Sequence, residues 1–278
     1  MTAAEQHEKA LRFQALHQRP GAFVIPNPWD AGSARLLAGL GFEAVATSSG
    51  ACAGVLGRRD GSVSRDEALA HARAIVLATD LPVAADLEKG FGDEPAVVAQ
   101  TIRFAAEVGL VGGSIEDATG VKDAPLYDIA QAADRVAAAA EAARALPFPF
   151  TLTARAENYL RGKPDLEDTI RRLQAFEKAG ADVLFAPGLP DLDAVRTVCA
   201  SLAKPVNFMV GIPGRSFSVS ELQAAGVKRI SLATSLYRAA MAGLYNAAVE
   251  VKEQGTFGYV QQGLPTGKLN EFMRGTGG

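Results

Sequence analysis

The feature that most constrains the fold is an alternation of apolar runs, loops and helical segments that recurs about eight times along the chain. Helical segments stop at four glycines, and an apolar run begins within about two residues of each: Gly41, Gly109, Gly180 and Gly226. Continuous apolar strands that alternate with helices are typical of a parallel sheet covered by helices. Eight such units in 278 residues match a (β/α)8 barrel, which takes about 250 residues. The sequence therefore predicts an α/β fold of the (β/α)8 TIM-barrel class.

An open, doubly wound sheet is the rival fold, and it usually carries a glycine-rich phosphate loop after its first strand. Here the first strand is followed by Pro26-Asn27-Pro28-Trp29, and the chain contains neither a GxGxxG motif nor a Walker loop. We therefore expect one barrel domain over residues 1–255, which includes an N-terminal helix within residues 1–20. Residues 256–278 form a glycine-rich, polar tail, which we expect to be loosely ordered at its tip.

Composition excludes several classes of protein. The formal net charge is −3 and there is no long basic run, so nucleic-acid binding is not expected. No apolar stretch reaches the roughly 18 residues of a membrane span, and the N-terminus lacks the apolar core of a signal peptide. The two cysteines, Cys52 and Cys199, lie far apart and have no metal-binding spacing. We expect a cytoplasmic protein without membrane contact or disulfides.

Two carboxylates follow the apolar run at residues 82–85. Asp86 and Glu88 are two residues apart, and side chains at this spacing point to the same side of a strand. They converge on one spot if the strand geometry persists to Glu88. Two acids that face one spot repel each other unless a cation lies between them, and Mg²⁺ with its oxygen ligands is the economical candidate. The alternative is a strand end whose acids are solvated.

Polar residues also follow the other predicted strands, where a barrel places its active site. They are Asn27, Asp30, Ser48, Ser49, Gly50, Asp86, Glu88, Glu116, Arg155 and Asn207. The segment 48–54 is predicted to be an irregular loop, whose backbone N–H groups at residues 49–51 could bind an anionic oxygen. Arg155 is the one cation at a strand end and suits a carboxylate or phosphonate. Its alternative role is a structural ion pair with Glu116 or Glu157.

The predicted strand ends lack the histidine and lysine residues that several other kinds of catalytic centre need. The three histidines, His7, His17 and His71, all fall in predicted helices, which argues against a zinc hydrolase and a serine–histidine triad. No lysine is placed at a strand end to form a Schiff base. Mg²⁺, an arginine and backbone donors remain, and together these stabilise an enolate oxygen next to a carboxylate.

The order of these motifs resembles that of the isocitrate lyase/phosphoenolpyruvate mutase superfamily. The resemblance runs from about Phe23 to the last strand and rests on five segments: 49–51 (Ser-Gly-Ala), 59–60 (Arg-Asp), 86–92 (Asp-Leu-Glu-Lys-Gly-Phe-Gly), 114–117 (Ser-Ile-Glu-Asp) and 153–157 (Thr-Ala-Arg-Ala-Glu). It implies a (β/α)8 barrel whose last helix is swapped between subunits, usually in tetramers. It also implies Mg²⁺, with Mn²⁺ as a substitute, and a small 2-oxo acid or its enolate as the ligand.

The resemblance also implies metal-binding roles for three carboxylates. Asp86 would bind the metal directly, whereas Glu88 and Glu116 would act largely through water.

Further roles fall on the substrate side of the implied site. Ser49, Gly50 and Ala51 would hold the oxo acid, and Asp60 would lie near the metal-bound waters. Arg155 would hold the leaving side of the substrate. Asp60 and Arg155 are thus the candidate catalytic residues, and Asn207 at the seventh strand end is a further candidate for substrate binding.

The loop after Glu116 departs from the best-known members of the superfamily. Isocitrate and methylisocitrate lyases carry a Cys-Gly-His motif there, whose cysteine gives a proton to the enolate. This chain reads Ala-Thr-Gly-Val-Lys-Asp-Ala-Pro over residues 118–125, with neither cysteine nor histidine, and it also lacks the asparagine gate of the mutases. We expect Lys122, Asp123 and Tyr127 to lie in a mobile lid.

Three functions remain open on this basis. The first is a Mg²⁺-dependent lyase that breaks a carbon–carbon bond in a 2-hydroxy or 2-oxo di- or tricarboxylate. The second is a carbon–phosphorus enzyme of the mutase or phosphonopyruvate hydrolase type, and the third is a catalytically silent binder of oxo acids.

The helix near the C-terminus, predicted over residues 235–252, carries a broad apolar face. This face packs either on its own barrel or, as the resemblance implies, on a neighbouring subunit of a homo-oligomer.

Overall fold

Eight parallel strands run around the centre of the computed structural model, which describes residues 1–274 of the chain. The strands are β1 (Phe23–Ile25), β2 (Val45–Ala46), β3 (Val83–Asp86), β4 (Gly112–Glu116), β5 (Thr151–Arg155), β6 (Val183–Phe185), β7 (Val206–Met209) and β8 (Arg229–Ser231). Each pairs with its neighbour in sequence from β2 to β8, and β8 pairs with β1. The Ala46 N–H donates to Pro26 O at 3.1 Å, which brings β2 to the end of β1. The barrel is thus nearly closed, and the predicted fold class is confirmed.

Helices connect these strands and cover the barrel. They are α1 (Ala3–Gln18), α2 (Ala31–Gly39), α3 (Ser49–Val55), α4 (Arg65–Ala78), α5 (Pro95–Glu107), α6 (Ile129–Arg144), α7 (Leu166–Lys178), α8 (Leu192–Ala200), α9 (Val219–Ala224), α10 (Ser235–Gln254) and α11 (Thr266–Met273), with a 3₁₀ turn at Gly258–Gln262. Capping boxes start α4 and α9, where the hydroxyl groups of Ser64 and Ser218 accept from the backbone N–H of Glu67 and Glu221.

The segment 48–54 was predicted as an irregular loop, and this prediction is wrong. It forms α3, with Ser48 in extended conformation as N-cap and its carbonyl accepting from Cys52 N–H at 2.9 Å. The small residues serve close packing rather than a turn, because a Cβ at Gly54 would lie 2.5 Å from the Tyr237 hydroxyl. A helix also satisfies the backbone groups of this buried segment internally.

The amino-terminal end of the barrel is covered by α1. Phe13 is fully buried and packs so closely on β4 that a Cβ at Gly112 would lie 2.8 Å from its ring. The Gln6 amide donates to Ala106 O at 2.7 Å and to Leu110 O at 3.1 Å, which ties α1 to the end of α5. The opposite, carboxyl-terminal end of the strands therefore remains as the place for a site.

The C-terminal helices lie outside the barrel. No residue of α10 is buried, whereas α11 returns to α2, where Arg35 donates to Met273 O at 2.6 Å. The expected disorder at the tip of the tail falls on residues 275–278, which lie outside the described residues. The division at residue 255 stays a prediction. Across the described part of the chain, none of the helices is both long and apolar enough to cross a membrane.

Candidate functional site

Three neighbouring strands end in charged residues at the carboxyl-terminal edge of the barrel. Asp86 is the last residue of β3, Glu116 of β4 and Arg155 of β5. Glu116 and Arg155 are paired in the register of β4 and β5, so their side chains start from the same level. The apolar strands below are buried, which leaves these charges at the end of the barrel where loops can close over a ligand.

Arg155 lies at the centre of this cluster. Its guanidinium contacts Asp86 at 2.9 Å, Glu116 at 3.0 Å and Glu157 at 2.8 Å, and it lies 5.4 Å from the centroid of the Phe185 ring. The ion pairs of Arg155 with Glu116 and Glu157, which the sequence offered as an alternative role for this arginine, are therefore present. Burial lowers the pKa of Arg155, but Glu157, Asp86 and Glu116 outweigh it and raise that pKa well above its usual value. The side chain is thus a fixed, permanent cation.

Not every donor of Arg155 is used by these partners. Nε and Nη2 serve Glu157, Nη2 also contacts Glu116, and Nη1 donates once, to Asp86. A guanidinium has five N–H groups. One N–H of Nη1 is therefore left for a ligand in the cavity beside it.

Asp86 is held in its ionised form. Its oxygens accept from Arg155, from the Glu88 N–H at 3.1 Å and from the Ser49 N–H at 3.3 Å. Burial, the largest influence, raises its pKa, but Arg155 and these two backbone donors together lower it below its usual value. Asp86 is thus an ionised oxygen donor in a nearly enclosed position.

Glu88 does not continue the strand. β3 ends at Asp86, and Glu88 has a φ of 48°, so the shared strand face on which its convergence depended is absent. The two acids nevertheless remain close enough to interact. Burial, then Asp86 and Asp60, raise the pKa of Glu88 to about 7. A turn in left-handed conformation, which is uncommon for a non-glycine residue, therefore brings Glu88 to the cluster.

Glu116 is the second carboxyl with a raised pKa. Burial is the main cause, and Glu157 and Asp86 add to it, although Arg155 and Arg161 oppose them. Arg161 contacts Glu116 at 3.0 Å and closes the cluster from the loop after β5. Negative charge is therefore in excess here, and a further cation would be stabilised.

The predicted 49–51 segment forms the first turn of α3, directly above β3. The Ser49 N–H points at Asp86, and N–H groups in a first helical turn have no partner within the helix. A Cβ at Gly50 would lie 2.9 Å from Thr234 Cγ2 and 3.2 Å from Asp60 Oδ2, so glycine allows this close approach. The structure thus brings Asp60, Ser49, Gly50 and Asp86 together at one edge of the barrel.

A small cavity of about 80 Å³ opens beneath the cluster. Its lining includes Ser48, Asp86 and Arg155 at the top, together with the polar side chains of Thr153, Asn207, Arg229 and Ser231. Asn207 donates to Ser231 Oγ at 3.0 Å and accepts from Arg229 Nε at 2.8 Å. The structure therefore places Asn207 in the cavity wall, with both ends of its amide engaged. A role for Asn207 in substrate binding stays a prediction.

A divalent cation fits the chemistry of this cluster if water completes its coordination. No three side chains of histidine, cysteine, aspartate or glutamate within residues 1–274 form a ready-made metal cage. Mg²⁺, however, commonly uses one or two carboxylates and keeps several waters. Ionised Asp86 provides one such ligand, and the crowded carboxyls of Glu88 and Glu116 lie beside it.

Two loops beside the site are held together by Arg135 of α6. Its guanidinium donates to the carbonyls of Lys89, Gly92 and Asp93 in the loop after β3, and lies 4.3 Å from the ring centroid of Tyr127. Tyr127 lies in the predicted lid, and its hydroxyl donates to Asp93. The loop that carries Glu88 and the segment after β4 thus share one buried support.

Sequence reasoning missed Arg135, Arg161 and Arg229 as parts of this site. Arg229 carries a recognisable signal, because it is a charged residue inside the last apolar strand. Arg135 and Arg161 carry none, since each resembles an ordinary surface arginine of a helix or loop until the chain is folded.

Comparison with known proteins identifies the family. The sequence model of the phosphoenolpyruvate phosphomutase family matches residues 13–252. The chain belongs to the phosphoenolpyruvate mutase/isocitrate lyase superfamily. This confirms the resemblance seen in the motifs.

Three relatives illustrate the range within this superfamily. A structure of a candidate lyase/mutase from Burkholderia cenocepacia is 53% identical and has a TM-score of 0.96, with 98% of both chains covered. A candidate phosphonomutase from the same organism is 35% identical with a TM-score of 0.82, covering 90% of this chain and all of the other. The 2-methylisocitrate lyase of Salmonella typhimurium is 28% identical over 260 residues, which are 90% of this chain and 87% of the relative. Lyases and mutases thus both occur among the relatives.

Proposed function

We propose that this member of the superfamily is a Mg²⁺-dependent lyase. It breaks a carbon–carbon bond in a 2-hydroxy or 2-oxo di- or tricarboxylate, of the methylisocitrate, dimethylmalate or oxaloacetate kind, through an enolate. The observation that carries the proposal is that ionised Asp86 and the fixed cation Arg155 line one small cavity, while the first turn of α3 donates to Asp86. Such an arrangement suits an oxygen that becomes anionic during a reaction.

The metal would be held by the carboxylate cluster. Asp86 would bind it directly, Glu88 and Glu116 would hold its waters, and Asp60 would lie beside them. When bound, Mg²⁺ or Mn²⁺ would neutralise negative charge on the oxygens of the substrate.

The protein's own groups would orient the substrate. Ser49, Gly50 and Ala51 would hold the oxo acid, and the N–H groups of Gly50 and Ala51 would bind the carboxylate next to the reacting carbon. The remaining N–H of Arg155 Nη1 would donate to the substrate on the side that leaves. Three carboxylates fix the guanidinium, so this donor needs little reorganisation during the reaction.

The same bond cleavage would serve both kinds of substrate. In a 2-hydroxy acid, a base removes the hydroxyl proton and the O–H electrons form the new carbonyl. The electron pair of the broken carbon–carbon bond stays on the departing fragment as an enolate. In a 2-oxo acid such as oxaloacetate, carbon dioxide leaves and that electron pair forms the enolate of pyruvate. Either enolate then takes one proton at carbon.

Substitution of Asp86 tests the proposal. Asp86→Ala should lower the rate of oxo-acid formation by about a thousandfold, because the ionised metal ligand is lost. Glu94→Gln is the matched control, since Glu94 is an exposed carboxylate whose side chain makes no capping hydrogen bond. Glu94→Gln should keep full activity. A fully active Asp86→Ala variant would show that the assignment is wrong.

Carbon–phosphorus chemistry is the second candidate. It is favoured by the family model, which describes a phosphomutase, and by the 35% identical phosphonomutase candidate. Incubation with phosphonopyruvate decides between the two functions. Release of inorganic phosphate or formation of phosphoenolpyruvate would support the second, whereas turnover of hydroxy or oxo diacids alone would support the first. Tight ligand binding with no turnover of either class would indicate a silent binder.

We also propose that the chain works as a homo-oligomer, of the tetrameric kind that the resemblance implies. Apolar side chains of α10 are exposed, among them Met241, Leu244 and Tyr245. An exposed apolar patch of this kind marks an interaction surface. A second copy of the chain would cover it.

A further inference from the structure

Arg229 is a buried cation beneath the candidate site. It is the first residue of β8, only 7% exposed, and its side chain lies inside the barrel. Nε donates to Asn207 Oδ1 at 2.8 Å and Nη2 donates to Thr153 Oγ1 at 2.9 Å, while Nη1 lies 3.5 Å from His17 Nε2. The first two partners are neutral at every pH of interest.

His17, the third partner, is also neutral. Its Nδ1 lies 2.8 Å from Phe13 O, and its ring packs edge-on against Phe13 and Phe23. Burial, followed by the charge of Arg229, lowers the pKa of His17 to about 3. The Nδ1–H tautomer therefore leaves Nε2 as an acceptor that faces Arg229.

No carboxylate in residues 1–274 lies within ion-pair distance of Arg229, whereas Arg155 and Arg172 are each paired with carboxylates. Burial alone lowers the pKa of Arg229, to about 9, and no nearby charge opposes that effect. A buried charge without a counter-ion costs free energy, and proteins usually pair such charges. The position therefore favours an anion that comes from outside the chain.

The guanidinium also has donors to spare. Three of its five N–H groups point to protein acceptors, and two remain on Nη1 and Nη2. Arg229 lines the cavity of about 80 Å³ together with Thr153, Asn207 and Ser231. At about 10–15 Å³ for each water, this volume holds several waters, which leaves room for a carboxylate group in the cavity.

The charges above the cavity also favour the binding of an anion at Arg229. Arg155 keeps one N–H for the leaving side of the substrate, but its charge is already balanced by three carboxylates, and Glu88 and Glu116 would repel a further anion. A substrate whose first carboxylate binds at the top of the cavity would thus find its best electrostatic partner for a second one at the floor.

We propose that Arg229 forms an anion-binding floor in this cavity and binds the second carboxylate of a dicarboxylate substrate. This inference rests on the proposed function, because it presumes that the first carboxylate binds near Asp86 and α3. It makes Arg229 the residue that selects diacids over monoacids.

Matched pairs of hydroxy acids test this role in the wild-type protein. Lactate, tartronate and malate share a 2-hydroxy carboxylate. Tartronate and malate each carry a second carboxylate, which lies farther from the hydroxyl-bearing carbon in malate than in tartronate. With Mg²⁺ present, calorimetry should show that one of the two diacids binds about tenfold or more tightly than lactate. Equal binding of all three acids would overturn the inference.

The variant Arg229→Met should remove that preference and leave lactate binding within about twofold of wild type. Its melting temperature should stay equal or rise, because an unpaired buried charge has been replaced by an apolar side chain. Arg229→Lys keeps the charge and should keep part of the preference. A purely structural cross-link between α1, β5 and β7 would instead give a lower melting temperature and an unchanged preference, which would overturn the inference.

Oxalate binding separates this inference from the proposed function. Oxalate needs only the upper part of the site, so it should bind wild type and Arg229→Met alike. If wild type binds neither oxalate nor any hydroxy acid with Mg²⁺, the proposed function fails. If oxalate binds and Arg229→Met retains the preference for diacids, the proposed function stands and only the proposed role of Arg229 is wrong.

Discussion

Residues of one charge type behave differently here because their partners differ. Arg155 is paired with three carboxylates, whereas Arg229, inside the same barrel, contacts only neutral groups. Removing Arg155 would leave Glu157, whose side chain is fully buried, without its main counter-charge. Loss of one partner from such a buried pair typically costs about 3 kcal/mol or more. Arg155 thus supports the fold as well as the site.

The buried His17 predicts a pH dependence of stability. Its pKa is lowered to about 3 in the folded state from 6.5, so the unfolded chain binds the proton first as pH falls. The stabilising contribution is complete above pH 6.5 and is lost as pH falls toward 3. The slope from this group alone reaches about 1.4 kcal/mol per pH unit within that window.

Urea unfolding of wild type and His17→Gln at pH 7.5, 6 and 5 measures this effect. As the pH is lowered, the free energy of unfolding of wild type should fall more steeply than that of His17→Gln, whose side chain does not titrate. Identical slopes would show that His17 is not buried in its neutral form.

At this scale, sequence could predict residue types and the ion-pair partners Glu116 and Glu157 of Arg155, but not its pair with Asp86. Asp86, Glu116 and Arg155 were placed correctly, since the end of an apolar run fixes the end of a strand. The contact between Arg155 and Asp86 joins residues that are 69 positions apart, so no local pattern contains it. The conformation of Glu88 was missed for a similar reason, because a positive φ at a non-glycine residue depends on the surrounding packing.

At the scale of elements, α6 supports the site through one side chain. Arg135 holds three carbonyls of the loop after β3 and stacks on Tyr127. Lys89 of the same loop also donates to Thr119 O at 2.8 Å, in the segment 118–125 that follows β4. The loop after β3 and this segment should therefore loosen together.

Arg135→Met should expose this coupling. The variant leaves buried carbonyls unpaired, which should lower the free energy of unfolding by about 1–3 kcal/mol. Trypsin should also cut faster after Lys122, which is exposed in the segment 118–125. Arg103→Met, an exposed arginine of α5, is the control and should leave both measurements unchanged. Unchanged proteolysis in Arg135→Met would contradict the coupling.

Most elements could be predicted because their end signals are local. The four glycines predicted the ends of α2, α5, α7 and α9 within about two residues, whereas α3 was missed. Gly50 and Gly54 lower the helix propensity of α3, and their close packing against Thr234 and Tyr237 outweighs that propensity.

For the whole molecule, the alternation of strands and helices was enough to predict the barrel, since few topologies accommodate it. The covering of the amino-terminal end by α1 and the return of α11 to α2 could not be predicted in this way. Both contacts lie outside the repeating pattern, and each depends on long-range complementarity of single side chains.

The exposed face of α10 predicts self-association. The native mass should be a multiple of 29.0 kDa, because second copies would bury side chains such as Leu244 and Tyr245. The double variant Leu244→Asp/Tyr245→Asp should shift the mass to that of a monomer without unfolding the barrel. Light scattering after size-exclusion chromatography measures both. A monomeric wild type would contradict the proposal.

We propose that the strand ends hold a metal-dependent site for an enolate next to a carboxylate. Calorimetric titration of oxalate, a mimic of enolpyruvate, tests this proposal. In the presence of Mg²⁺ we expect saturable binding of one oxalate per chain, which is lost with EDTA and in Asp86→Ala but kept in Glu94→Gln. Failure to bind oxalate in both conditions, or equal binding with Mg²⁺ and with EDTA, would contradict it.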